Sequence, residues 1–156
     1  MTPTFLGNID LLEPKKIAYF CSRRYAPRAV LASYDWATAQ RDKVVISTFH
    51  SPLEKDVLEF LLKNKRPVIY VLPARMYKRV PMRFKEALDE GRLLFVSLQS
   101  ENVRMYSQPN ADKAIRYILD QAEEIVFGCV APNSNNERLL QSLQEVNQKR
   151  ISILVK

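Results

Sequence analysis

The chain has 156 residues, 47% hydrophobic and 26% charged, a composition that suits one globular core over residues 1–156 and excludes a disordered chain. Lys and Arg number 24 against 17 Asp and Glu, and the resulting formal charge of +7 favours an anionic partner such as nucleic acid or a phosphorylated ligand. The longest apolar runs, such as Val68–Leu72 and Ile151–Val155, fall short of the roughly 18 residues of a membrane helix, and no basic stretch leads into an apolar one at the N-terminus, so neither a membrane partner nor a secretory signal is expected.

Short apolar runs alternate with helical patterns along the chain. Ile17–Cys21 reads as a strand, followed by a helix from about Pro27 to Gln40 with Val30, Tyr34 and Ala37 on one face. Lys43–Ser47 is a second strand and Pro52–Asn64 a second helix. Pro67–Leu72 is a third strand, and a loop leads from it to a short helix from about Pro81 to Glu90. Gly91 stops that helix, and Arg92–Ser97 is a fourth strand. After an irregular stretch over Gln99–Pro109 comes a helix at Asn110–Ala122, then a strand at Glu124–Cys129. A last helix spans Asn135–Gln148, with Leu139, Leu140, Leu143 and Val146 inward, and Ile151–Val155 closes the sheet. Six apolar runs separated by helices imply right-handed crossovers. The expected fold is therefore a Rossmann-like three-layer α/β/α domain with a mainly parallel sheet of about six strands.

In such a fold, ligands bind beyond the carboxyl ends of the strands, where helix N-termini point. Two of those helix starts read as self-occupied. Ser51-Pro52-Leu53-Glu54 has the spacing of a capping box, with a carboxylate where a phosphate would go, and Ser134-Asn135-Asn136-Glu137 repeats it. Two others gather cations without acids. Ser22, Arg23, Arg24 and Arg28 surround the start of the first helix. Arg75, Lys78, Arg79 and Arg83 lead into the short helix at Pro81–Glu90, where dipole and side chains add together toward anions. A solvated basic face, a contact to a phosphate backbone and a small phosphorylated ligand all fit this pattern.

His50 is the sole histidine and has no Cys or Asp partner at a recognisable spacing. Cys21 and Cys129 lie far apart and read as buried thiols, which suits a reducing, cytoplasmic setting. Tyr19, Tyr25, Phe49, Tyr77 and Tyr106 could stack on bases, and Tyr25 and Tyr77, interleaved with Arg and Lys, are the best placed. No phosphate-binding glycine loop, zinc spacing or nucleophile elbow is present, so no catalytic residue, metal or cofactor is expected.

Gly7-Asn8-Ile9-Asp10-Leu11-Leu12, followed by Lys16-Ile17-Ala18-Tyr19-Phe20-Cys21-Ser22-Arg23-Arg24, resembles the opening of the DNA-processing protein A (Smf) family. In that family a similar segment precedes a strand ending in Gly-Ser-Arg. Val44–Ser47 is similar to its second strand and serine, Pro67–Leu72 to its third strand, and Gly91–Ser97 to a further one. Cys21, Thr48, Pro52 and Asn135 stand where the family's binding loops have glycine. The Arg-Asn-Arg of the family has Asn110, Lys113 and Arg116 as candidates. The resemblance implies a non-catalytic domain that binds single-stranded DNA and helps to load a RecA-type recombinase. It carries over Ser22, Arg23, Arg24 and Ser47 as anion-binding positions. Absence of the Pro-Gly-Gly-x-Gly-Thr motif counts against nucleotide hydrolysis. A nucleotide or phospho-sugar module, a protein scaffold and a homodimer stay open.

Overall fold

The computed structural model describes residues 2–146 and 149–155, without the Val146 side chain; Asn147 and Gln148, at the end of the expected last helix, lie outside the described residues. The described residues form seven strands: β1 Thr4–Gly7, β2 Lys16–Phe20, β3 Val44–Ser47, β4 Val68–Leu72, β5 Leu93–Ser97, β6 Glu124–Cys129 and β7 Arg150–Val155. They form one sheet in the order β1-β5-β4-β3-β2-β6-β7. All pairings from β2 to β7 are parallel, and β1 runs antiparallel to β5.

Among the described residues, five α-helices cover the sheet: α1 Arg28–Ala39, α2 Pro52–Lys63, α3 Lys85–Asp89, α4 Gln108–Gln121 and α5 Asn135–Val146. Residues of α1, α2 and α3 pack with Tyr19, Val45 and Phe95 on one face. Residues of α4 and α5 pack with Phe20, Ile46, Ile69 and Phe127 on the other. With both faces covered, β2, β3 and β5 are buried at every position and β4 at all but Tyr70, which is why they read as continuous apolar runs rather than alternating ones.

β1 adds a strand to the six apolar runs read from the sequence. It pairs Thr4 with Ser97 and Gly7 with Leu94. Gly7 is required there: its φ is 116°, and a Cβ would lie 2.3 Å from the Leu93 carbonyl oxygen. Asn8 follows, its Oδ1 accepting the Asp10 N–H to start a 3-10 turn over Ile9–Leu12, while its Nδ2 donates to the Gly91 carbonyl at 2.9 Å.

The helix expected over Pro81–Glu90 is corrected. Met82–Phe84 is a 3-10 turn, and only Lys85–Asp89 is α-helical. Pro81 stays extended, with φ −55° and ψ 141°, so the backbone turns helical only after it. α4 begins at Gln108, earlier than expected, because Ser107 Oγ accepts the Asn110 N–H at 3.3 Å and Pro109 fits the first turn.

With only three glycines in the chain, most left-handed positions fall to other residues. Phe49 (φ 46°) ends β3, Lys65 (φ 57°) ends α2 and Asn133 (φ 60°) follows β6. Lys65 holds the left-handed position of a Schellman stop, in which Arg66 N–H donates to the Leu61 carbonyl at 2.9 Å.

Candidate nucleic-acid interface

Strand order reverses beside β2, whose neighbours are β3 and β6. Loops diverge at that point, and a cavity of about 710 Å³ opens at the carboxyl ends of these three strands. Cys21, Ser22, Arg23 and Arg24 after β2, Thr48 and His50 after β3, and Ala131 to Asn135 after β6 line it. α4 contributes Gln108, Ala111 and Ile115, and α5 contributes Arg138.

Ser22 ties two of the loops together. Its Oγ accepts the Ala131 N–H at 2.9 Å and lies 3.2 Å from Ser134 Oγ, while its own N–H donates to the Cys129 carbonyl at 3.0 Å. Ser22 therefore holds the β2 and β6 ends in register under the cavity. Arg23 and Arg24 follow it on an exposed loop, and Arg138 projects from the first turn of α5, where its Nη2 donates to Asn135 Oδ1. α1 starts beside this loop with Pro27 as its N-cap, no capping side chain and no acid in the first turn.

Glu54 closes the opposite side. It is 5% exposed, and its carboxylate accepts backbone N–H bonds from Cys21 at 2.9 Å, His50 at 2.9 Å and Ser51 at 3.2 Å. Burial raises its pKa, and these bonds oppose that shift. The expected capping box of Ser51 and Glu54 is thus present, and Glu54 reaches beyond α2 to gather the ends of β2 and β3. Ser51 Oγ is buried in capping position without an aligned hydrogen bond. At α5 the serine half of the second box is formed, and the carboxylate reaches one residue beyond the cap. Ser134 Oγ accepts the Glu137 N–H at 3.1 Å, and Glu137 Oε1 accepts the Asn133 N–H at 3.0 Å.

An aromatic pair stands beside the cavity. The His50 and Tyr106 rings stack in parallel, 3.9 Å apart with 3° between planes. Tyr106 is 42% exposed, and its hydroxyl donates to Gln108 Oε1 at 3.3 Å. Gln108 Oε1 also accepts from Asn135 Nδ2 at 3.0 Å, which bridges the α4 and α5 starts. Beyond that bridge a hollow of about 470 Å³ continues between the two helices, sharing Gln108, Asn135 and Arg138 with the cavity. Cys21 is not a nucleophile at neutral pH: burial first, then the nearby Glu54 and Cys129, pushes its thiol up to about 12.

Of the sequence candidates, Ser22, Arg23 and Arg24 line the cavity, whereas Arg28, Ser47, Arg75, Lys78, Arg79 and Arg83 do not. Ser47 is fully buried and its Oγ accepts the Phe49 N–H at 3.1 Å, steadying the left-handed turn that follows β3. Arg28 is the first residue of α1. Arg75 bonds the loop over Glu101–Val103, through its N–H to the Val103 carbonyl at 2.7 Å and its guanidinium to the Glu101 carbonyl at 3.4 Å. Arg83 pairs with Glu59 of α2 at 3.4 Å and covers the Phe84 ring. The second basic group thus belongs to the β4 end, two strands from β2, and α3 is too short to lend it a helix dipole. Tyr77, expected to stack on bases, packs edge-on against Phe95 instead.

Arg138 was missed from sequence, and Tyr106, though among the aromatics able to stack, was passed over for Tyr25 and Tyr77. Tyr106 sat in a segment read as irregular. Arg138 carried a usable signal, lying four residues after Ser134 and so on the same side of the α5 start.

No family model matches the sequence, and no curated protein matches it. Solved structures do. DNA processing protein A from Streptococcus pneumoniae superposes with a TM-score of 0.79 at 16% identity, over 97% of this chain and 54% of that one. The fold is that of DNA processing protein A. The Helicobacter pylori DNA processing protein A gives a TM-score of 0.76 at 17% identity, over 97% of this chain and 70% of that one. The chain thus spans about half of the Streptococcus pneumoniae DNA processing protein A and more of the Helicobacter pylori one. Among the described residues, no helix is long and apolar enough to cross a membrane.

Proposed function

We propose that residues 1–156 form one non-catalytic domain that binds single-stranded DNA at the cavity beside β2. Phosphates are held by Arg23, Arg24 and Arg138, and Ser22 positions the loop that carries the first two. The observation that carries this reading is a basic rim around a cavity at the topological switch point. The shared fold supports it, since the Helicobacter pylori DNA processing protein A binds single-stranded DNA. Interactions of this kind are dominated by phosphate charge and release counterions on binding. A cytoplasmic location, a role in recombination through a RecA-type recombinase, and a homodimer extend the same proposal.

Anisotropy of a labelled oligothymidylate, titrated at several salt concentrations, tests it. Affinity should fall steeply with salt, and Arg23→Ala/Arg24→Ala should weaken it at least about tenfold at low salt. Equal, negligible binding by both proteins would sink the reading. The size of the cavity favours a second reading, a free mononucleotide, which is separated by stabilisation with a nucleotide but not with an oligonucleotide.

A further inference from the structure

The chain's two cysteines meet where β2 and β6 end. The strands pair as far as Phe20 and Phe127, Cys21 follows β2, and Cys129 is the last residue of β6. Ser22 N–H donates to the Cys129 carbonyl at 3.0 Å, and the Cys129 N–H faces the Cys21 sulfur. Both side chains belong to the half of the core that α1 and α2 cover. Each carries a free thiol, and they lie close enough for charge on Cys129 to disfavour charge on Cys21.

This arrangement suits a bond that forms and breaks. Neighbouring strands lie about 4.8 Å apart, within the Cα range of a disulfide, whereas its Cβ atoms need about 3.5–4.5 Å. Closing the pair therefore pulls the two strand ends together and strains the link. Strained disulfides are the easily reduced ones, used as switches rather than staples.

We propose that Cys21 and Cys129 are a modification site, closing as a reversible disulfide when the protein meets a hydroperoxide. Cys129 is the more exposed thiol, 8% against 1%, and the cavity lined by Cys21 gives a small peroxide a route to the pair. The Cys129 sulfur attacks a peroxide oxygen, the O–O bond breaks, an alcohol or water leaves and a sulfenic acid remains. The Cys21 sulfur then attacks the Cys129 sulfur. The S–S bond forms, the S–O bond breaks, and the hydroxyl leaves as water with the Cys21 proton. Pushed up to about 12, the Cys21 thiol is inert toward molecules in solution, being thiolate in only about one copy in 10⁵ at pH 7. Groups held in contact gain effective molarities of about 10⁵ M or more, which offsets that fraction for Cys129 alone.

The link acts on the arginine loop. Ser22 follows Cys21 and is bonded to Cys129, and exposed Arg23 and Arg24 come next. Drawing Cys129 toward Cys21 shifts the carbonyl that holds Ser22, and the loop with it. Oxidation then weakens oligonucleotide binding, a consequence that rests on the single-stranded DNA reading.

The test treats the full chain with a modest excess of hydrogen peroxide and counts thiols after unfolding in denaturant. Two thiols should fall to none, with a mass loss of two hydrogens and no cross-linked dimer, and dithiothreitol should restore both. Cys21→Ala should instead leave Cys129 as a sulfenic acid that dimedone traps. Retention of both thiols, or passage of the wild type directly to sulfinic acid, would overturn the site. Titration of both forms with an oligothymidylate at low salt reads the switch, and the oxidised form should bind several-fold more weakly. Equal affinity would refute control of the loop while the thiol count still decides the disulfide. Failure of both forms to bind would overturn the DNA reading and leave the disulfide to stand or fall on its thiols.

Discussion

The Glu54 carboxylate accepts the Cys21 N–H at 2.9 Å, joining the start of α2 to the end of β2 across the mouth of the sheet. The same group bonds His50 and Ser51, so one side chain satisfies donors from separate loops. Glu54→Ala leaves those buried amides without a partner, which should cost about 3 kcal/mol or more. Glu54→Gln should fall between. It keeps an acceptor for His50 and Ser51, but its amide nitrogen meets the Cys21 N–H as donor against donor. Chemical denaturation of the variants checks the order.

Gly128 of β6 lies against the buried Tyr19–Ser33 hydrogen bond, which spans 2.8 Å. A Cβ on Gly128 would lie 2.5 Å from Tyr19 Oη and 3.0 Å from Ser33 Oγ. Gly128→Ala should therefore destabilise by roughly 1–3 kcal/mol through overpacking. Tyr19→Phe removes the oxygen that the new methyl strikes, so the double variant should lose less than the sum of the single ones. A double-mutant cycle from thermal or urea unfolding measures the difference.

Most of the sheet was legible because buried parallel strands read as apolar runs, and β2 to β7 stand within one or two residues of where those runs lie. β1 was not, since Thr4–Gly7 is short and takes its stability from one antiparallel partner far along the chain. At the site, the Ser51–Glu54 spacing announced a capping box, but nothing in sequence showed that Glu54 also reaches Cys21. Arg23 and Arg79 looked equivalent because both sit in acid-free basic segments. Strand order separates them, placing one beside β2 and the other beyond β4.

That separation has a measurable consequence. Lys78 and Arg79 do not line the cavity, so Lys78→Ala/Arg79→Ala should weaken oligonucleotide binding far less than Arg23→Ala/Arg24→Ala. The salt slope should flatten by about 0.7 for each phosphate no longer neutralised by a side chain, and only the Arg23/Arg24 variant should show it. Equal weakening in both variants would move the interface to the β4 end.

His50 titrates below its ordinary value of 6.5, because burial first, then the positive charges of Lys55 and Arg23, disfavour the imidazolium. With the folded pKa below the unfolded one, the neutral ring favours the fold. The contribution is present above the unfolded pKa and is lost as pH falls through it toward the folded value. As the sole histidine, it gives one assignable NMR ring signal. Its midpoint should lie below 6.5, and Arg23→Ala should raise it.

Because Glu54 fills the inner end of the cavity, the loops around it are organised before any ligand arrives. The Cys21, His50 and Ser51 amides should exchange slowly with deuterated solvent in the free protein, and adding an oligonucleotide should change their rates little. Binding then carries a small ordering entropy at these loops, leaving the exposed arginines as the groups that settle on contact. A chain nearly without glycine in its loops holds them by an internal carboxylate, and the proposed recognition is accordingly closer to docking on a preset surface than to closure around a guest.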